Sequence, residues 1–411
     1  MHIAWLGKKS PFCGNVTYSR EVTNALLDRG YQVSFLHFAQ EAELDRDNGT
    51  WSMANGKWGK GISQTPISQT PFSGTLPASC NEVSLPCLYK SQIYTIPTFK
   101  SSKVLMKSLR RLQPDIVHAS LTLSPLDFLL PEICQELNLP LVATFHPPFD
   151  RKLRNLTSGT QHLMYQLYAP FLAHYDCTIV FSQIQRDILV RLGVPEERVA
   201  VIPNGVDAIK YSPGPSTLKA ELGAERIFVY QGRIAPEKNV EALLKAWKQC
   251  DLGPGNLLAI VGDGPLAASL QLFYGEDEGI VWLGFIADED RRIEILRGAD
   301  VFILPSLVEG LSLSLLEAMA CGLACLATDA GADGEALEAG AGVVLHTQRV
   351  RSQLQTLLPL FCDHPEMAVM LGQKARQRAL DRYTLSQNIT ELENLYAGVL
   401  QHQQIPVRGL A

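Results

Sequence analysis

Two glutamates, an arginine and a lysine in the second half of the chain carry the clearest chemistry. Glu309 and Glu317 stand eight positions apart in Pro305-Ser306-x2-Glu309-Gly310-Leu311-Ser312-Leu313-Ser314-Leu315-Leu316-Glu317. An apolar run ends just before them, so Glu309 falls in a strand-to-helix loop and Glu317 on the helix that follows. Eight residues of helix span roughly 12 Å, comparable with the reach from a hexose to a ribose across a diphosphate. Gly310, Leu311, Ser312 and Leu313 form the helix start between the carboxylates, where backbone N–H groups favour phosphate oxygens. The carboxylates themselves accept hydrogen bonds from sugar hydroxyls.

The cations come earlier in the chain. Gly232-Arg233-x4-Lys238-Asn239 follows a β-rich run and opens a helix near Glu237. Gly232 permits close approach of a ligand, and Arg233 and Lys238 supply two positive charges that match a diphosphate. Alone, this segment reads equally as a solvated helix start. Val261-Gly262-Asp263-Gly264-Pro265 is another strand-to-helix turn, at the end of a strand where open α/β sheets bind ligands. A turn of that composition is common by itself.

Alternating strands and helices must position these groups. In the first half, β-rich runs over 2–6, 31–38, 115–119, 141–145, 176–181 and 198–202 are separated by helical patterns. The second half repeats the scheme with runs over 226–230, 257–261, 281–283, 301–304, 323–327 and 342–345, then helices over 365–382 and 385–401. Strands spaced by helices of this length imply right-handed βαβ units and parallel sheets. The turn-rich stretch 203–215 marks the boundary. The expected domains are therefore 1–205, 206–384 and a closing helical segment 385–411. Residues 45–89, rich in Ser, Thr, Gly, Pro and Gln, read as a surface insertion. It is either a tolerated loop or a lid or acceptor-binding segment, since Trp51, Trp58 and Phe72 are large apolar groups in polar sequence.

Composition narrows the class. The chain has 411 residues, 46% hydrophobic and 19% charged, which suits two globular domains. A formal charge of −6 gives no bulk attraction to nucleic acid, and none is expected as a partner. Nine scattered cysteines without a Cys-x-x-Cys pair read as reduced thiols, and Cys321 and Cys325 as small buried hydrophobes. Residues 1–6 are too short for a signal-peptide core, so a cytoplasmic protein is expected. The most apolar stretch, 301–328, is broken by Glu309, Glu317 and several glycines and does not read as a spanning helix.

Taken together, the Glu-x7-Glu pair, Gly-Arg-x4-Lys-Asn, Val-Gly-Asp-Gly-Pro and Ile202-Pro203-Asn204-Gly205-Val206-Asp207 resemble family 4 of the retaining GT-B glycosyltransferases. The likeness runs through most of 1–400. It implies an α/β fold of two Rossmann-like parallel-sheet domains with a cleft between them and a C-terminal crossover helix. It also implies a nucleotide-sugar donor held by Arg233 and Lys238 at the diphosphate, Glu317 at the ribose and Glu309 at the sugar. Gly232, Gly262 and the Gly310–Leu313 turn join this donor set, and Gly284-Phe285-Ile286 resembles the segment that meets the nucleobase. In the first half, the loop 7–15 matches the family's glycine-rich loop over the diphosphate. It reads Pro11-Phe12-Cys13-Gly14, so Gly14 carries the assignment and Cys13 departs from the usual Gly-Gly. His146, at a strand's end in Thr144-Phe145-His146, matches the active-site histidine. The reacting set implied is thus Glu309, His146, Arg233 and Lys238.

No metal and no cofactor beyond the donor are expected. Asp45-Arg46-Asp47 lies in the polar insertion and Asp288-Glu289-Asp290 reads as an acidic helix start. Neither follows an apolar strand as a metal-binding Asp-x-Asp does. A dinucleotide oxidoreductase is disfavoured, because Gly7-x6-Gly14 is not Gly-x-Gly-x-x-Gly.

The acceptor is written less clearly. Lys103, Lys107, Arg110 and Arg111 stand beside Val104, Leu105, Met106 and Leu109, and Arg151, Lys152 and Arg154 precede a Tyr/Leu/Met-rich helix. Basic charge beside apolar surface suits peripheral contact with an anionic membrane through 101–111 and 149–175; an ordinary amphipathic core helix fits equally. The opening residues 3–15 are similar to the bacterial digalactosyldiacylglycerol synthases of this family. That likeness implies galactose transfer from UDP-galactose to monogalactosyldiacylglycerol. A soluble sugar or cell-wall precursor as acceptor, and a non-catalytic nucleotide-sugar-binding protein, are the alternatives.

Overall fold

The computed structural model describes residues 1–10, 13–40, 52–54, 57–59, 81–91, 93–149 and 156–404. These group into two units. The first comprises 1–146, 163–202 and 389–411, and the second 147–162 and 203–388.

The first unit is built on one eight-stranded sheet, formed by β1 (His2–Leu6), β2 (Gln32–Ala39), β5 (Glu82–Lys90), β6 (Thr95–Pro97), β7 (Ile116–Ser120), β8 (Leu141–Thr144), β9 (Cys177–Val180) and β10 (Val199–Val201). A short antiparallel pair, β3 (Ser52–Ala54) and β4 (Lys57–Gly59), stands apart from it. The sheet order is β10-β9-β8-β7-β1-β2-β5-β6, parallel throughout except for the antiparallel β5–β6 edge. β1 and β7 are buried at all five positions, as expected of parallel strands covered on both faces. From β1 the chain winds outward through β2 and β5, then returns to lay β7 on the other side. The carboxyl ends of β1 and β7 therefore flank a topological switch point.

Glu82–Lys90 corrects one sequence expectation. Most of this stretch falls within the insertion expected over 45–89, yet it is a sheet strand paired with β2, with Val83, Leu85 and Cys87 buried. Pro86 disguised it, because proline argues against a strand interior. Here its carbonyl is taken by the Thr98 N–H at 3.2 Å and the Ser101 hydroxyl at 2.5 Å. Trp51 and Phe72 lie outside the described residues.

A buried polar ladder closes the centre of this unit. The His118 ring stacks on Trp5 with centroids 4.0 Å apart. Its Nδ1 lies 2.6 Å from the Tyr396 hydroxyl and its Nε2 lies 2.8 Å from Thr144 Oγ1. Tyr396 belongs to the last helix, Leu385–Gln404, whose Ile389 and Leu392 are also buried. Arg29 fastens the helix from outside through Thr390, at 3.0 Å, and Glu393.

The second unit holds six strands, β11 (Arg226–Gln231), β12 (Asn256–Val261), β13 (Ile280–Gly284), β14 (Val301–Leu304), β15 (Ala324–Thr328) and β16 (Val343–Leu345). Their order is β13-β12-β11-β14-β15-β16, all parallel. Counted within the unit this is 3-2-1-4-5-6, the doubly wound order whose ligand crevice lies outside the first and fourth strands. β14 and β15 are buried from end to end. Cys321 and Cys325 lie buried there, and burial raises both thiol pKa values, that of Cys321 to about 12.

Burial, then the neighbouring His146, lowers the His118 pKa from 6.5 to about 3. The folded value lies below the unfolded one, so this neutral ring contributes stability above pH 6.5 that is lost progressively as pH falls from 6.5 toward 3. His118→Gln is expected to remove about 1.4 kcal/mol of acid sensitivity for each pH unit in that window. Urea-unfolding midpoints of both proteins over the same pH series check this. Parallel slopes for the two would show that the ring does not titrate this way.

Candidate functional site

The groups singled out in the second half all leave the carboxyl ends of strands in the second sheet. Gly232, Arg233 and Lys238 follow β11, while Glu309 follows its neighbour β14. Lys238 closes the turn Pro236–Lys238, and Asn239 then takes a left-handed conformation at φ 53°. Asn239 Nδ2 donates to Pro305 O at 3.2 Å, and the Leu307 N–H donates to Glu237 O at 2.8 Å. The two loops are thereby laced across the switch point.

Glu309 is 8% exposed. Its Oε1 lies 2.5 Å from Lys238 Nζ and accepts the Ser306 hydroxyl at 2.8 Å. A carboxylate this buried needs both partners, because an uncompensated charge there would cost several kcal/mol. The backbone behind it is equally constrained. Glu309 O accepts from the Phe149 N–H at 3.3 Å, Gly310 O from the Ala332 N–H at 2.6 Å, and Leu311 O from Asn204 Nδ2 at 2.9 Å. Gly331 sits at φ 58°, where a Cβ would lie 2.2 Å from Glu309 O. No other residue fits that turn.

Ser312 caps the helix Leu313–Cys321, its hydroxyl accepting from the Leu315 N–H at 3.4 Å. Leu313 and Ser314 are the first helical residues, and their amides precede the i→i−4 ladder. Glu317, one turn on, receives Gln231 Nε2 at 2.8 Å. Lys238, Glu309, the helix start and Glu317 thus converge on one end of the sheet.

The other second-half residues occupy the same end with different roles. Arg233 is part-exposed and only loosely paired with Glu237, at 3.7 Å; its carbonyl is held by the Tyr230 hydroxyl at 2.7 Å. Gly262 has a packing reason to be glycine: at φ 137°, a Cβ would lie 1.8 Å from Gly232 O. Phe285 and Ile286 follow β13, two strands from β11. Phe285 is 59% exposed, and Arg292 braces the turn through Ile286 O at 3.0 Å.

In the first unit, His146 follows β8 and is half-buried. Its Nε2 lies 2.8 Å from Ser120 Oγ at the end of β7, and that hydroxyl donates to Asn15 Oδ1 at 3.0 Å. Asn15 Nδ2 in turn donates to Leu121 O at 3.2 Å. Tyr18 packs edge-on against the His146 ring at 4.9 Å. Loss of water, then the charge of Lys8, lowers the His146 pKa well below the usual imidazole value. Gly14 opens the helix Gly14–Asp28 beside Asn15, with open space where a Cβ would stand. Pro11 and Phe12 fall outside the described residues, as do Arg151, Lys152 and Arg154.

Sequence reasoning missed the supports. Asp333 is fully buried, its Oδ1 accepting the Ser312 N–H at 2.8 Å and its Oδ2 without a partner among the described residues. Burial, then the charge of Glu309, raises its pKa well above the ordinary carboxyl value. The Gly331-Ala332-Asp333-Gly334 turn after β15 was the available signal. Gln231, Ser306, Asn15 and Ser120 carried none.

Comparisons with known proteins identify the family. Residues 13–209 match the family model described as Glycosyltransferase Family 4, and residues 219–378 the model described as Glycosyl transferases group 1. The chain is 28% identical to the Escherichia coli UDP-Gal:alpha-D-GlcNAc-diphosphoundecaprenol alpha-1,3-galactosyltransferase, covering 79% of this chain and 86% of that protein. It is 26% identical to the sulfoquinovosyl transferase SQD2 of Arabidopsis thaliana, over 76% of this chain and 61% of the relative. Among solved structures, HepE of Anabaena in complex with UDP superposes with a TM-score of 0.73 at 16% identity, covering 97% of this chain and all of that one. Sucrose-phosphate synthase of Thermosynechococcus elongatus gives 0.73 at 19% identity, over 98% of this chain and 99% of that one. The structural likenesses show the GT-B fold. With a glycosyltransferase model on each half and that fold beneath them, the chain belongs to the group 1/family 4 superfamily of GT-B glycosyltransferases and is an enzyme of that superfamily.

Proposed function

We propose that this enzyme is a retaining hexosyltransferase that moves galactose from UDP-galactose to a membrane glycolipid, with monogalactosyldiacylglycerol as acceptor and digalactosyldiacylglycerol as product. The observation that carries the transferase assignment is the Lys238–Glu309–Ser306 cluster beside the amino end of the helix Leu313–Cys321. A donor phosphate can draw on the remaining N–H groups of Lys238 and on the first helical amides. Ser306 then keeps Glu309 Oε1 in place while Oε2 meets a sugar hydroxyl. Arg233 adds the second positive charge, Gln231 sets Glu317 toward the ribose, and Phe285–Ile286 receive the base.

Transfer breaks the bond between the anomeric carbon and the diphosphate oxygen and forms one to the acceptor oxygen on the same face. The hydroxyl proton passes to the departing phosphate. Preorganised cations and amides, rather than a metal, meet the charge that develops on the leaving group. One relative's name supports the donor and a lipid-carried acceptor, and a structural neighbour supports a UDP-sugar. The Escherichia coli protein is named for UDP-Gal and a diphosphoundecaprenol-linked sugar, and HepE was solved with UDP-glucose as well as UDP. The first relative also favours a second reading, in which the acceptor is a lipid-carried polysaccharide precursor. In either case the enzyme works at the cytoplasmic face of a membrane.

His146 has a specific part in this reading. The Ser120 hydroxyl spends its one proton on Asn15 Oδ1, so its oxygen accepts from His146 Nε2–H. The neutral ring then offers the lone pair of Nδ1 to a donor or acceptor hydroxyl.

Incubation with UDP-, GDP- and ADP-sugars and a membrane lipid extract, followed by mass analysis, is expected to show one added hexose on a galactolipid with release of UDP. Lys238→Ala and Glu309→Ala are each expected to lower turnover by about a hundredfold or more, with far-UV circular dichroism unchanged. Near-normal turnover in either variant would remove the assignment. For His146, imidazole nitrogen shifts in labelled protein are expected to report the Nε2–H tautomer, and Ser120→Ala to mix the two tautomers. A wild-type ring protonated at Nδ1 contradicts the relay.

A further inference from the structure

The β5–β6 hairpin presents an unusual surface. Leu88, Tyr89, Ile93, Tyr94 and Ile96 are exposed on it, with Leu88 at 64% and Ile93 at 62%, and Phe99 just beyond is fully open to solvent. A contiguous run of large apolar groups in water marks a partner surface rather than ordinary exterior. The exposure does not come from a loose loop. Tyr89 pairs with Ile96 and Lys90 with Thr95 across the hairpin. The Ser91 hydroxyl accepts from the amides of Ile93 at 3.2 Å and Tyr94 at 3.0 Å. Lys8 Nζ donates to Ser91 O at 3.2 Å, Lys90 Nζ to Ser10 Oγ at 2.6 Å, and the Thr95 N–H to Leu123 O at 3.3 Å. The apolar groups are therefore held outward by a braced frame.

Basic charge adjoins them directly. Phe99 is followed by Lys100 and by the helix Ser101–Leu112, whose start is fixed to β5 through the Ser101 hydroxyl and Pro86 O. Leu105 and Leu109 face the core, while Lys103, Lys107, Arg110 and Arg111 are exposed. Arg110 is engaged by Glu136 at 2.6 Å. Lys100, Lys103, Lys107 and Arg111 have no acidic partner among the described residues. This concentration of positive charge stands on a chain whose formal charge is −6.

We propose that the β5–β6 hairpin, Phe99 and the exposed basic face of Ser101–Leu112 form one docking surface for a bilayer containing anionic lipid. The apolar tips enter the interface, and the cations meet the headgroups. Aromatic and branched groups beside lysine and arginine are the chemistry of a water–lipid boundary, where an apolar stem and a charged head are satisfied together. Addition of a second copy as a strand suits the surface less well. β6 is three residues long and ends in Pro97, features that blunt an edge, and a second copy seated symmetrically on this face would set its exposed lysines against those of the first.

The position of the surface adds a consequence. β5 runs parallel to β2 and β1, so its hairpin leaves the sheet at the same end as the loop after β1 and as Ser120 and His146. Lys8, on that loop, touches the hairpin itself. Docking here sets the reactive end of the first unit against the membrane. The proposal concerns where the protein binds and holds whichever sugar or acceptor it uses.

The test is co-sedimentation of the full chain with vesicles of phosphatidylcholine alone and of phosphatidylcholine mixed with phosphatidylglycerol, without donor. Wild type is expected to bind the anionic vesicles and not the neutral ones, and to lose binding as salt rises. Lys103→Glu/Lys107→Glu is expected to weaken binding by about tenfold or more. Ile93→Ser/Phe99→Ser should weaken it to a similar degree while leaving the salt dependence in place. Phe99→Trp is expected to shift its fluorescence to the blue on anionic vesicles only. Absence of wild-type binding overturns the proposal, as does equal binding by every variant. So does a wild-type dimer in sedimentation velocity that Ile93→Ser/Phe99→Ser dissociates, because that result would place a second copy on the surface. Transfer to a water-soluble acceptor is unaffected by these outcomes, so a failure here leaves the transferase reading standing.

Discussion

Holding a carboxylate inside a protein is expensive, and the second unit is organised around meeting that cost at Glu309. The charge is compensated by Lys238, and the same Oε1 also accepts from Ser306, which limits where the side chain can go. Lys238 lies on the loop after β11 and Glu309 on the loop after β14, so their ion pair spans the switch point that the strand order creates. Everything nearby then acts to keep these two loops in register. Asn239 reaches Pro305, Asn204 reaches Leu311 and Gly331 lets a backbone pass within contact of Glu309 O. The result is a loop whose carbonyls are taken by the protein, ahead of a helix whose first amides face away from its own ladder.

The first unit follows a related plan with neutral groups in place of charged ones. Its switch point lies between β1 and β7, and the side chains beyond those ends are Asn15, Ser120 and His146. An amide fixes a hydroxyl, which fixes an imidazole. Burial keeps that imidazole uncharged, so its orientation is governed by hydrogen bonds and its protonation stays constant near neutral pH.

Much of this was legible in the sequence, for definite reasons. Runs such as Val301–Leu304 are apolar at every position because parallel strands are covered on both faces, and such runs are easily read. The Glu309–Glu317 spacing and the Gly232-Arg233-x4-Lys238 pattern are local, so the helix period alone could relate their parts. What failed was non-local. Asp333 lies 21 positions beyond Ser312 and Ser120 is 105 beyond Asn15; only the sheet order brings them together. Pro86 hid β5 because its effect on pairing depends on which neighbour needs its missing N–H. The conformation of Gly262 and the nearness of Gly232 O require glycine, a packing demand that the turn's composition does not reveal.

The Tyr396 hydroxyl against His118 has a consequence for biosynthesis. Tyr396 and its neighbours Ile389 and Leu392 are buried in a unit whose other strands were made at the start of the chain. During translation, the sheet formed by β1 to β10 emerges first but lacks this side of its interior until the final helix leaves the ribosome. The second unit, complete by residue 388, can fold while the earlier one still waits. The first unit thus completes its interior only after the residues of the second have been synthesised.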